Sequence, residues 1–222
     1  MNYVLPFLSV LLGYGIALFL EPKNKKNLKL LLAFSGAFLL ALTVFHLLPE
    51  VYAASSPSIG LFIMLGILFQ IVLEVASKGA EHGHVHGHDS ISQIPWLLFF
   101  SLCIHALLEG FPVSQHPSLA MGIAVHHLPI AIILATFFRK GNLQARALFG
   151  FMLGFALMTP LGTYLGGSTS LISQYTTEIT AVVIGILFHI SSTIIFESSE
   201  GHKFNVAKIS VIVLGMALAY LL

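Results

Sequence analysis

The chain has 222 residues, 57% of them hydrophobic and only 9% charged, with a mean hydropathy of +0.94 and a formal net charge of +1. A soluble domain carries roughly a quarter of its residues as charges, so most of this surface is expected to face lipid. The near-zero charge leaves no broad basic face for nucleic acid, and the single cysteine, Cys103, excludes a disulfide framework or a Cys-rich zinc module.

Apolar stretches broken by short polar punctuation then mark the elements in order. The first, Tyr3 to Leu20, lacks the basic start and small-residue cleavage site of a secretory signal, and it is long enough to span. The others run from Leu28 to Tyr52, Ile59 to Ala76, Ile94 to Val113, Leu119 to Phe138, Leu143 to Leu165, Ile179 to Phe196 and Phe204 to Leu222. Lys208 sits one turn inside the last, where a long stem is expected to reach the interface. These predict an all-α polytopic membrane protein, an eight-helix transmembrane bundle forming one domain over 1–222. With eight spans, all ten Lys and Arg residues fall on one side: Lys23, Lys25, Lys26, Lys29, Lys78, Arg139, Lys140, Arg146, Lys203 and Lys208. The positive-inside rule makes that side cytoplasmic and puts both termini outside, extracellular or periplasmic.

The third loop, residues 79–91, carries His82, His84, His86 and His88 between glycines. Such a segment cannot pack a core, but its imidazoles suit capture of a borderline metal such as zinc. A polar linker without function is the plainer alternative.

Ionisable groups at bilayer depth are costly and mark pathways. His105 and Glu109 on the fourth span lie four residues apart, which puts a neutral nitrogen and an anionic oxygen on one helix face. A buried His–Glu hydrogen bond would have the same spacing. On the fifth span, His126 and His127 precede Pro129, which cannot donate a backbone hydrogen bond and frees the Val125 carbonyl. The two imidazoles point about 100° apart. His126 is therefore the expected ligand, and His127 an orienting, proton-carrying or alternative one. His46 and Glu50 repeat the four-residue spacing near the outer end of the second span, as a cation vestibule or as interfacial anchors. His189 shares a polar helix face with Ser191, Ser192 and Thr193, for which interhelical packing is the expected role and a place on the pathway the alternative. Glu74 is expected to be solvated near the cytoplasmic end of the third span.

At these residues the sequence resembles the ZIP family of divalent-metal transporters, along essentially its whole length. The segment His105 to Gly110 resembles the family's His-Asn-x-x-Glu-Gly motif, and His126 to Ala131 its His-Glu-x-Pro-His-Glu motif. The run His46-Leu47-Leu48-Pro49-Glu50 is similar to the end of the family's second helix, and the His-rich third loop is typical. The resemblance implies transport of Zn²⁺, Fe²⁺, Mn²⁺ or a similar ion such as Cd²⁺ toward the cytosol, by alternating access in a homodimer. It gives His105, Glu109 and His126 as ligands of the principal site. In a bacterium the membrane would be the cytoplasmic (inner) one. The metal is the substrate, and no cofactor or enzymatic activity is implied.

Where the motifs hold Asn, Glu, His and Glu, this chain has Ala106, His127, Ile130 and Ala131, and Thr159 stands where bacterial relatives often place a carboxylate. Most donors of a second, adjacent ion are therefore missing, and a mononuclear site is expected. One carboxylate with two or three imidazoles favours Zn²⁺ over Ca²⁺ or Mg²⁺. Two other classes compete. An intramembrane zinc hydrolase would need a His-Glu-x-x-His string or a membrane-facing Asp, yet the first is absent and the only Asp is Asp89 in the third loop. A non-transporting metal sensor is compatible with the lost ligands.

Overall fold

In a computed structural model, residues 3–20, 25–54, 57–77, 94–168, 174–197 and 205–222 are described. These residues are helical, with no strand among them. The helices are α1 (Val4–Phe19), α2 (Lys25–Leu42), α3 (Leu48–Ala53), α4 (Ile59–Ser77) and α5 (Trp96–Gly110), followed by α6 (Pro117–Lys140), α7 (Ala145–Ser168), α8 (Thr176–Glu197) and α9 (Val206–Tyr220). A π-helical turn, Thr43–Leu47, joins α2 to α3, and a 3₁₀ turn, Phe111–Ser114, extends α5. The histidines of the third loop lie outside the described residues.

Six helical segments are long and apolar enough to cross a membrane: Lys26–Ala53, Ile59–Ala76, Trp96–Ser114, Pro117–Lys140, Ala145–Ser168 and Thr176–Phe196. The helices α1 and α9 are equally apolar but have only 16 and 15 residues. The chain is a helical membrane protein, and large apolar side chains cover its outer surface, among them Leu61, Met64, Leu68, Val72 and Val75 along α4.

The helices sort into two groups. In the first, α1 packs along α6 and α7, and α5 along α7. In the second, α4 and α2 pack on α8, and α9 on α2. The seam between them is formed by α2 against α6 and α4 against α5. Since lipid is as apolar as Leu, close van der Waals approach holds membrane helices together, and small residues allow it. Each group has such a crossing. A Cβ on Gly162 of α7 would strike the Leu107 carbonyl of α5, and one on Gly110 would come within 2.9 Å of the Thr163 nitrogen. A Cβ on Gly66 of α4 would likewise strike the Val182 carbonyl of α8, and one on Gly185 would come within 2.8 Å of the Ile67 nitrogen.

Helix ends need partners for their last carbonyls. Arg139 supplies them for α1, its Nη1 donating to the carbonyls of Ala17 at 3.3 Å and Leu18 at 2.9 Å. Lys208 corrects the snorkelling expectation. It is only 4% exposed, and its ammonium donates to the Ile195 carbonyl in the last turn of α8. A backbone oxygen takes the charge that water was expected to hold.

Candidate metal centre

The α5 helix buries its Leu98, Leu102, Cys103, Ala106 and Gly110 face against neighbours, and His105 and Glu109 stand on that inward side. His105 is 2% exposed and Glu109 fully buried. Their spacing brings His105 Nε2 to 2.9 Å from Glu109 Oε1. From α6, His127 Nε2 approaches the other carboxylate oxygen, Oε2, at 3.1 Å. A buried carboxylate is costly unless paired. Here an imidazole meets each oxygen.

His126, 2% exposed, completes the cluster. Donor atoms of His105, Glu109 and His126 all lie within 4.8 Å of one another. A tetrahedral zinc ion with bonds of about 2.0–2.2 Å separates its donors by roughly 3.4 Å, so small side-chain rotations would close the set on an ion. His127 divides from His126 as adjacent helical positions should: the ring centroids are 5.8 Å apart, and His127 packs 5.1 Å from Phe155 of α7. That aromatic wall holds the His127 ring on the carboxylate. Thr159, on α7 beside Gly110, is 1% exposed, and its hydroxyl has no hydrogen-bond partner among the described residues.

Comparison with protein-family models and with curated proteins finds no match for this chain. The chemistry is therefore read from the donors themselves. One carboxylate and three imidazoles, buried and drawn from two helices, suit one borderline divalent ion.

The other sequence-flagged residues are arranged differently. His46 and Glu50 do not act as a pair. Pro49 cannot donate to the carbonyl four residues back, and the helix answers with the π turn at 43–47, which changes the register between the two side chains. His46 Nε2 meets the Ala219 carbonyl of α9 at 3.2 Å, whereas Glu50 is exposed and its Oε2 lies 3.2 Å from Nδ1 of His116. His116 precedes Pro117 at the start of α6 and was not among the residues picked from sequence. Its signal was available, since a proline at the first helical position fixes the helix start, and hence a histidine, at the membrane rim. Burial pushes the His116 imidazole below its ordinary pKa, against an upward pull from the Glu50 carboxylate.

Glu74 is partly buried, not simply solvated, and His189 takes the interhelical role expected of it, with Glu74 as the partner. They meet at 2.5 Å across α4 and α8, with side chains 26% and 20% exposed. The hydroxyl of Thr193 bonds its own helix at the His189 carbonyl.

Proposed function

We propose that the chain carries divalent metal ions, Zn²⁺ in preference to harder ions, across a membrane through the cluster on α5 and α6. In this reading α1 and α9 are also spans, which gives eight, and the basic side faces the cytosol. The resemblance of His105–Gly110 and His126–Ala131 to the ZIP motifs supports it. One observation carries it: His105, Glu109, His126 and His127 are all at most 2% exposed and come together from two helices in a largely apolar interior. Such burial is expensive in a bilayer, on the order of 3 kcal/mol for a single charged side chain at the centre of a helix. A doubly charged guest compensates for it.

The cycle starts at the rim, where Glu50 and His116 offer a carboxylate and an imidazole to a hydrated ion. The ion sheds water onto His105, Glu109 and His126, whose side chains replace its shell. His127 holds the second carboxylate oxygen, so one ion per chain fits this donor set. Binding must be moderate, because a carried ion has to leave. Alternating access follows if the two helix groups shift along their α2–α6 and α4–α5 seam. The ion is received on the cytosolic side, where the loop histidines His82, His84, His86 and His88 are available, and the chain works as a homodimer of the ZIP type.

Flux into sealed proteoliposomes tests this. Zn²⁺ uptake is expected in the wild type and background uptake in Glu109→Ala at equal reconstitution. Unchanged uptake in that variant removes the centre from the mechanism.

A further inference from the structure

The α1 helix carries no His, Cys, Asp or Glu, yet it packs along α6 at the turn that holds two of the donors. Hydroxyls within helices commonly bond back to a carbonyl of their own helix, as those of Ser35, Thr43, Thr163, Thr193 and Ser210 do. Ser9 of α1 differs. It is buried, and its Oγ donates to the carbonyl of Ala124 on α6. One turn further along, a Cβ on Gly13 would come within 2.7 Å of the Leu128 carbonyl oxygen. The steps from Ser9 to Gly13 and from Ala124 to Leu128 are both four residues, about 6 Å on each helix. The two helices therefore run parallel and in step, and Arg139 of α6 reaches the last carbonyls of α1. These contacts fall on the weakest turn of α6. Pro129 cannot donate to the Val125 carbonyl, so one rung is missing between 125 and 129, where His126 and His127 stand. A proline inside a membrane helix is tolerated where neighbouring helices and Ser or Thr side chains support the interrupted backbone. Ser9 engages the carbonyl just before the gap, and Gly13 seats against the residue just before the proline.

We infer that Ser9 is a positioning residue of the metal centre: from α1 it fixes the proline-broken turn of α6, and with it the directions of His126 and His127. The inference rests on the metal-binding reading of that centre. Ser9 acts through the α6 backbone. A turn with all its rungs holds two adjacent side chains about 100° apart unaided. With one rung missing, their directions depend on what the turn is fastened to. The donor atoms of His105, Glu109 and His126 lie within 4.8 Å of one another, and His127 Nε2 stands 3.1 Å from Glu109 Oε2. Both spacings run from α5 to this one turn, so a small rotation of the turn changes them together. Ligand sites need their donors held to roughly 0.5 Å by supporting groups. The Ser9 hydroxyl and the close seat of Gly13 supply that support from outside α6.

Zinc affinity of the full chain in detergent, measured by competition with a chelating dye, tests this in three variants. Ser9→Ala is expected to weaken Zn²⁺ binding about tenfold, the lower end of what supporting partners contribute to a metal site. Ser9→Thr restores the hydroxyl and should restore the affinity. Its extra methyl has space, because Ser9 lines an open apolar groove of about 640 Å³ between α1 and α6. Ser35→Ala removes a buried hydroxyl bonded within its own helix and should leave the affinity unchanged. A residue that served packing alone would lower the unfolding temperature and leave the affinity of the folded protein as it was. Wild-type affinity in Ser9→Ala, a loss that Ser9→Thr does not repair, or an equal loss in Ser35→Ala overturns the positioning and leaves the centre's reading intact. Absence of zinc binding in the wild type overturns that reading instead. The positioning is then decided by the imidazole chemical shifts of His126 and His127 in zinc-free protein. Both are expected to move in Ser9→Ala and to return in Ser9→Thr, and unmoved signals overturn it.

Discussion

The two helix groups use the same parts to different ends. Each has a glycine crossing, Gly110 with Gly162 in one and Gly66 with Gly185 in the other, and each places a His–carboxylate contact near it. In the first group the carboxylate is fully buried, meets two imidazoles and has a third close by. In the second the carboxylate meets the His189 imidazole and is partly exposed. The two contacts thus differ in the number of imidazoles around the carboxylate and in the degree of sealing.

The largest effect should come from the first carboxylate. Glu109→Gln keeps the shape but removes the carboxylate of the cluster, leaving imidazoles to face a divalent ion in low dielectric. Zinc affinity measured by competition with a chelating dye should fall below detection, with transport lost. Retained affinity would mean the imidazoles alone suffice, and the contrast with the second group would disappear.

His127 comes next. It holds the Glu109 carboxylate oxygen opposite His105, and partners of that kind typically contribute about 10–100-fold to metal affinity. His127→Ala should lower zinc affinity within that range, whereas His126→Ala, which removes a ligand, should lower it further. The reverse order would exchange the two roles.

The difference between these two histidines shows where the sequence was legible. Apolar runs announced the helices because bilayer thickness fixes their length, and the four-residue spacing of His105 and Glu109 announced a shared face. That His126 turns to the ligand set and His127 to the carboxylate oxygen depends on where α5 and Phe155 of α7 stand, which no local period encodes. That Glu74 is the partner of His189 was hidden for the same reason, the two being 115 residues apart in the chain. His46 and Glu50 have separate partners because the π turn breaks the spacing that joined them. The Ile195 carbonyl that accepts from Lys208 stands on another helix and is invisible to hydropathy.

Third in size are the crossings. Gly162→Ala and Gly185→Ala each force a methyl against a backbone carbonyl, and overpacking of this kind costs about 1–3 kcal/mol. Both should lower the unfolding temperature in detergent by similar amounts. Only Gly162→Ala should weaken zinc binding at the centre, because Gly110 beside it is the residue after Glu109. Equal losses of affinity would show that the groups are not mechanically separate.

The smallest effect is at the rim, where His116 bridges the groups through Glu50. Burial favours its neutral form, so the folded imidazole binds a proton less readily than the unfolded one. The contribution of the neutral ring to stability is then present above the ordinary imidazole value of about 6.5 and is lost as pH falls through the lowered one. A proton on Nδ1 also excludes a metal ion, so capture at the rim should persist to more acidic pH than an unperturbed histidine would allow. A chemical-shift titration of labelled histidine should place the His116 midpoint below that of a model peptide. Glu50→Gln should lower it again, because the carboxylate is what draws the proton back. A midpoint that rises in Glu50→Gln would mean that the carboxylate is not in contact with the ring, and the bridge between the two groups at this rim would be lost with it.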